Sequence, residues 1–207
     1  MKILYLKLIF IFFLSFNIFF VAKGIDSLNF NISLSYSKDL SDTYGGGGIF
    51  SGGFSISKSW FGAEVNYGHF QSQPTYILKI PIEELNISLD IPFDEMSIME
   101  MGSLSAFIRP IRMKWIESDI LFGICYGRAR YLCFKGIQYS FSLPENRFTY
   151  LFKEYQLVKT NHFGYQVGFN ISFFITKKFG LQLNSRIQDL SNGGTFFFVG
   201  SGIIFRL

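Results

Sequence analysis

The chain has 207 residues and a formal net charge of +4, with 49% hydrophobic and 19% aromatic residues. That charge falls to +1 once Lys2, Lys7 and Lys23 near the N-terminus are set aside, so net charge gives no reason to expect a nucleic-acid partner. After the N-terminal stretch no run is long and apolar enough to cross a membrane as a helix, and one domain accommodates the rest.

Residues 1–24 read as a signal peptide. Lys2 and Lys7 supply a positive start, Leu8 to Ala22 is almost wholly apolar, and Ala22-Lys23-Gly24 offers the small residues that a signal peptidase requires. A membrane anchor helix is the alternative, but the run is short for that and Ser15 and Asn17 interrupt it. No cysteine follows the run, so a lipid anchor is not expected. Cleavage before Ile25 leaves one domain, 25–207.

That domain alternates. Strand one is expected over 27–37, with Leu28, Phe30, Ile32, Leu34 and Tyr36 on one face and Asn29, Asn31, Ser33 and Ser35 on the other. The glycine-rich stretch to Gly46 suits an outer loop. Strand two covers 47–57, Lys58-Ser59 turns the chain, and strand three covers 60–71, with Glu64 and Asn66 opposite Phe61, Ala63, Val65 and Tyr67. Residues 72–97 contain Pro74, Pro81 and Pro92, which disfavours central strands, yet Leu85, Ile87, Leu89 and Ile91 alternate. An external hairpin is preferred here over two further spanning strands.

Strand four is expected over 98–113, with Trp115 in an aromatic girdle and Glu117-Ser118-Asp119 as a short turn. In strand five, 120–134, the apolar Ile120, Phe122, Ile124 and Tyr126 share parity with Arg128 and Arg130. Either the strand leaves the membrane near Tyr126 or a bulge shifts its register. Residues 135–161 are expected as a long loop. Strands six, seven and eight follow, carrying Phe163 to Phe173, Phe179 to Ile187 and Phe197 to Leu207 at alternate positions.

Alternation alone does not say which face is buried. The polar face is mostly Asn, Gln, Ser and Gly rather than the Lys and Glu of a solvated surface, aromatics gather at the ends of the apolar faces, and short turns alternate with long connections. These features predict an all-β fold: a transmembrane antiparallel up-and-down β-barrel of eight strands, ten being the alternative, in the outer membrane.

The closing strand, with apolar residues at alternate positions and the ending Phe205-Arg206-Leu207, resembles that of bacterial outer-membrane barrels. The length resembles the small eight-stranded OmpA/OmpX-like class, Bacteroidetes forms especially. Members of that class usually end on an aromatic residue read by the barrel insertion machinery; here the last residue is Leu207 and the aromatic is Phe205. The resemblance implies outer-membrane lipid and lipopolysaccharide as surroundings and brings no catalytic residue.

Candidate sites are few. Glu64, Arg109 and Arg186 fall on inward faces of a barrel just wide enough for side chains to fill, so they are expected to form a lumen charge network, with Glu64 shared between the two arginines. His69 and His162 stand alone. Barrel lipid deacylases, which resemble this class in shape, use a His-x-Ser pair, which His69-Phe70-Gln71-Ser72 does not supply. Two histidines make no zinc site, and no metal or cofactor is expected. Cys125 and Cys133 are too far apart along one strand to bridge and are expected as unpaired, membrane-facing thiols.

The acidic interval Glu83, Glu84, Asp90, Asp94, Glu95 and Glu100 offers a cation or basic-partner surface, or a solvated face. The aromatics Tyr139, Phe141, Phe148, Tyr150, Phe152 and Tyr155 offer a binding surface for an extracellular protein or glycan, or strand extensions packing on each other. The expected role is structural, adhesive or surface-binding, by a monomer and without enzymatic activity. A narrow porin-like channel is the first rival and a membrane-embedded lipid hydrolase the second.

Overall fold

The computed structural model describes residues 28–41, 43–82, 87–145 and 147–207; the expected signal peptide lies outside them. Ten strands carry nearly all of the described chain: β1 (Asn29–Asp39), β2 (Gly48–Lys58), β3 (Phe61–Ser72), β4 (Thr75–Ile82), β5 (Ile87–Asp94), β6 (Met96–Arg112), β7 (Ile116–Ser142), β8 (Arg147–Phe174), β9 (Phe179–Leu190) and β10 (Gly194–Arg206). Eight of them close a barrel in the order β1-β10-β9-β8-β7-β6-β3-β2, every contact antiparallel, and β4 and β5 pair only with each other. The chain is therefore an eight-stranded barrel with an external hairpin, and the proline-interrupted segment does not span.

Closure follows from β1 pairing with β10, from Asn31 opposite Arg206 to Asp39 opposite Phe198. With no free edge, each spanning strand finds its backbone partners in its two neighbours, a requirement in hydrocarbon. Alternation then sorts side chains to two sides. Ile32, Leu34, Phe54, Val65, Phe122, Ile124, Val167, Phe169, Leu181 and Leu183 all point outward and are exposed. Residues one position away, such as Asn31, Ser35, Glu64, Asn66, Gln166, Asn170 and Gln182, are buried inside. An exterior that is apolar all round and an interior that is polar suit lipid outside, not water.

Tight turns join β2 to β3, β6 to β7 and β8 to β9 at the end where β1 begins and β10 finishes. Ser59 turns the first with a left-handed φ of 55°. Thr176 Oγ1 caps the third by accepting from Lys178 N at 3.3 Å and Phe179 N at 3.0 Å. The opposite end carries the long 40–47 connection, the β4–β5 hairpin and the β7–β8 extension, with only the β9–β10 link short, the distribution of periplasmic turns and extracellular loops.

Two expectations about the strand boundaries fail. Glu117-Ser118-Asp119 is not a turn. The chain reverses at residues 113–115, where Met113 N bonds Ile116 O at 2.8 Å, and Glu117 and Asp119 belong to β7. A bulge in β6 between Ile108 and Ile111 accommodates Pro110, which has no N–H for the ladder. Nor is 135–161 a loop. β7 and β8 stay paired to Ser142 opposite Arg147, well above the last β6 partner, Leu132, and the last β9 partner, Gly164. The β7–β8 register is unbroken from Ile116 to Phe134, so no bulge separates Tyr126 from Arg128: the strand leaves the membrane and its outward face turns basic.

Candidate functional site

Inward side chains fill the lumen in three layers. The layer nearest the extracellular end is apolar: Ile49, Phe70, Met99, Met101, Leu190, Phe196 and Phe198 pack together with Cys125 and Ala129. Phe196 and Phe198 stack with ring centroids 5.5 Å apart, and Phe70 meets both edge-on at 5.3 and 6.0 Å. Tyr44, from the β1–β2 loop, closes the top. Its ring stacks on Tyr131 and Phe196, its hydroxyl donates to Gly193 O at 2.9 Å, and it meets the Tyr131 hydroxyl at 2.9 Å. Burial, reinforced by the hydrogen bond with Tyr44, pushes the Tyr131 phenol above its ordinary pKa.

The middle layer is polar. Arg186 Nη2 donates to Glu64 Oε1 at 2.5 Å across the lumen, and Asn170 lies 3.5 Å from Glu64 Oε2. Gln188 donates to Gln166 at 2.7 Å, Gln166 to Ser105, and Ser37 to Asn184 at 2.7 Å. The third layer, by the tight turns, is ionic. Arg109 binds Asp119 through two nitrogens, at 2.7 and 3.1 Å, and Glu117 at 3.1 Å. Arg206 reaches the other Glu117 oxygen at 2.7 Å and lies over the Phe174 ring.

The expected trio is thus divided. Glu64 and Arg186 meet, while Arg109 serves the third layer and does not share Glu64. The difference traces to the displaced turn: once Glu117 and Asp119 are strand residues facing inward, Arg109 has two carboxylates closer than Glu64. Arg206, Glu117 and Asp119 are the lumen residues that sequence reasoning missed. The available signal was the parity of Glu117 and Asp119 with the buried Leu121. The apolar layer had a signal too, in the unbroken run Phe196-Phe197-Phe198, where both faces of the strand are apolar.

Outside the membrane, β7 and β8 rise as a two-stranded ribbon and the β4–β5 hairpin packs on one side of it. Ile80 and Ile91 of the hairpin are buried with Leu78, Leu89, Ile137, Phe141 and Phe148. Phe93 stacks on Phe134 at 4.3 Å, Lys153 Nζ donates to Pro92 O at 2.5 Å, and Phe134 N donates to Glu95 at 3.0 Å. The other side of the ribbon is uncovered. Gln138 faces Phe152 and Ser140 faces Tyr150 across the ladder, and Phe152 and Tyr150 are 52% and 49% exposed. Tyr139, opposite Leu151, edges the packed side and is 43% exposed. The six expected aromatics therefore separate: Phe141 and Phe148 hold the hairpin, Tyr155 packs against Phe134, and Tyr139, Tyr150 and Phe152 remain presented to solvent.

The two histidines lie on opposite sides of the wall. His69 points outward and is exposed. His162 is buried: Nδ1 meets Ser191 O at 3.0 Å, and Nε2 meets Thr160 Oγ1 at 2.6 Å and the Tyr131 hydroxyl at 3.2 Å. No carboxylate contacts it among the described residues. Cys125 is not membrane-facing as expected; it is buried in the lumen, and Cys133 is half-buried above it. Of the acidic interval, Asp94 accepts from Thr75 at 2.7 Å and Glu95 holds the ribbon, while Glu83 and Glu84 lie outside the described residues. Among the described residues, no group of three or more acidic, His or Cys side chains could hold a metal ion.

No protein-family model matches the sequence, and no curated protein does. Solved structures do. A major outer membrane protein from Thermus thermophilus superposes with a TM-score of 0.54 at 13% identity, over 88% of this chain and all of that one. The outer membrane protein OprG from Pseudomonas aeruginosa gives 0.54 at 7% identity, over 89% of this chain and 98% of that one. The fold is that of a small outer-membrane β-barrel. Ail, the attachment invasion locus protein of Yersinia pestis, gives 0.51 at 11% identity, over 87% of this chain and 97% of that one. This barrel shares with them the closed antiparallel wall, and its outer-membrane character accords with the apolar belt.

Proposed function

We propose that this outer-membrane barrel is a monomeric surface-recognition protein, in which a closed barrel holds an aromatic ribbon outside the membrane to bind an extracellular protein or glycan. The observation that carries the reading is the contrast between the two sides of the β7–β8 ribbon. One side is consumed by the hairpin through Ile137, Phe141 and Phe148; the other keeps Tyr150 and Phe152 in solvent. Large rings left uncovered on a rigid element are costly for solubility and favourable for recognition. Ail, of the same fold, was solved in complex with a heparin analogue.

The test is binding of the purified, folded protein to a glycan array and to immobilised extracellular-matrix proteins, for the parent and for Tyr150→Ser/Phe152→Ser. Retained heat-modifiability on gels reports a folded barrel. Binding that falls at least tenfold in the variant supports the reading; unchanged binding, or none by the parent on either surface, overturns it.

A channel is the weaker reading. The apolar layer and the ionic layer each obstruct the lumen, so no stable conductance is expected in a planar bilayer, and a reproducible conductance would restore that reading. A lipid hydrolase would need a nucleophile and an oriented base open to the lipid; the Thr160 hydroxyl and His162 Nε2 do meet at 2.6 Å, but His162 is buried on the lumen side and no carboxylate orients it among the described residues.

A further inference from the structure

We infer that the outward faces of β7 and β8, just above the aromatic girdle, form a binding site for the phosphate groups of outer-leaflet lipid, with Arg128, Arg130 and Lys159 as its ligands. This goes beyond the recognition surface and rests only on the barrel being embedded in the membrane.

The depth is fixed by Tyr126 and Phe163. They face outward as cross-strand partners with ring centroids 5.0 Å apart, and the Tyr126 hydroxyl donates to Asn161 at 2.9 Å. Rings of this kind, apolar at one end and hydrogen-bonded at the other, mark the boundary between hydrocarbon and headgroups. Along β7 the next two outward residues are Arg128 and Arg130, and Lys159 of β8 stands directly opposite Arg130. At ~3.4 Å per residue these cations lie ~7 to 14 Å beyond Tyr126 along the strands, which a tilt of ~40° converts to ~5 to 11 Å above it, among the headgroups. All three are exposed.

The arrangement is unfavourable without a ligand. Lys159 opposite Arg130 is a like-charge cross-strand pair, which destabilises a sheet. No ion pair or hydrogen bond engages Arg128, Arg130 or Lys159 among the described residues. One carboxylate stands directly beside them: Glu100, the cross-strand partner of Arg128, which forms no ion pair with it. Above the patch the wall turns aromatic again, at Phe134 and Tyr155 beneath the hairpin. The cations thus form an exposed basic band between two aromatic pairs on the outer wall, which a phosphorylated headgroup would neutralise.

The test uses the full barrel folded into phosphatidylcholine vesicles alone, with bisphosphorylated lipid A, with dephosphorylated lipid A, or with millimolar inorganic phosphate outside. The variants are Arg128→Ser/Arg130→Ser/Lys159→Ser, the milder Lys159→Ser alone, and Lys177→Ser/Lys178→Ser in the tight turn at the other end as a control. The bisphosphorylated lipid is expected to raise the urea midpoint of the parent and the control, and native mass spectrometry is expected to find at least fivefold less of it retained by the triple variant. In phosphatidylcholine alone Lys159→Ser is expected to be as stable as the parent or more so, because it removes a repulsion; should the triple variant fail to fold, Lys159→Ser decides by the same retention readout. Equal retention by variant and parent, or equal stabilisation by the dephosphorylated lipid, overturns the proposal. A full effect from inorganic phosphate overturns the assignment to lipid.

Discussion

Arg109 and Asp119 are ten residues apart on neighbouring strands and close a two-point ion pair inside the barrel, with Nε to Oδ1 at 2.7 Å and Nη2 to Oδ2 at 3.1 Å. Arg109 also binds Glu117, whose second oxygen is taken by Arg206, so two guanidinium groups and two carboxylates neutralise one another behind the tight turns. Replacing Arg109 by Met leaves a buried carboxylate without its partner, at an expected cost of about 3–5 kcal/mol. Asp119→Asn is expected to cost less, since it still accepts a hydrogen bond. Urea unfolding in detergent micelles measures both; an Arg109→Met variant as stable as the parent would mean that water, not protein, solvates these charges.

The outer belt is expected to obey depth. Val167→Arg puts a charge against hydrocarbon well inside the girdle and is expected to cost about 2–4 kcal/mol. Asn161→Arg, exposed at the rim beyond Phe163, is expected to cost about 0–1 kcal/mol. Folding yield into vesicles, read as the unheated gel band, separates the two, and equal yields would contradict the placement of the membrane.

Close approach of β8 and β9 depends on Gly164. A Cβ there would lie 1.8 Å from the Asp189 carbonyl oxygen, a backbone atom that cannot move without breaking the ladder. Gly102, on the lipid face of β6, would meet nothing within 4 Å. Gly164→Ala is therefore expected to lower stability by about 1–3 kcal/mol or more, and Gly102→Ala to leave it unchanged. Thermal loss of the compact gel band gives the comparison, and the idea fails if the two shift alike.

Thiol chemistry is expected to separate the two cysteines. Cys125 lies in the apolar layer and is expected to resist a maleimide until the barrel unfolds. Cys133, above the membrane, has a thiol pushed above its ordinary pKa by burial and then by the Glu95 carboxylate. Since the thiolate is the nucleophile, a raised pKa means slow labelling at neutral pH that accelerates as pH rises past the usual thiol range. Mass spectrometry of folded protein should find at most one adduct; rapid double labelling would place Cys125 outside the lumen.

Much of the architecture was legible because it depends on parity. Leu104, Ala106 and Ile108 face lipid, and Ser103, Ser105 and Arg109 face inward, as a period of two requires. Parity is blind to where a strand stops. Glu117 and Asp119 alternate with Ser118 and read equally well as a polar turn or as two inward positions of a strand. The bulge at Pro110 and the reversal at residues 113–115 select the second reading. The same ambiguity hid the ribbon, because polar and aromatic residues alternate alike in a solvent-bathed strand and in a loop.

The sequence by itself determined that this protein is a β-barrel with a lipid-facing exterior. Side-chain polarity at every second position is a local property, and the solvent on each side of the wall dictates it. Only the tertiary structure decided which charges share a partner, which aromatics are spent in packing and which remain presented. Those outcomes depend on distances across the lumen between β3 and β9, and on the folding of a hairpin over a ribbon more than forty residues later in the chain. Ladder register and barrel closure fix such distances, and no local pattern records them.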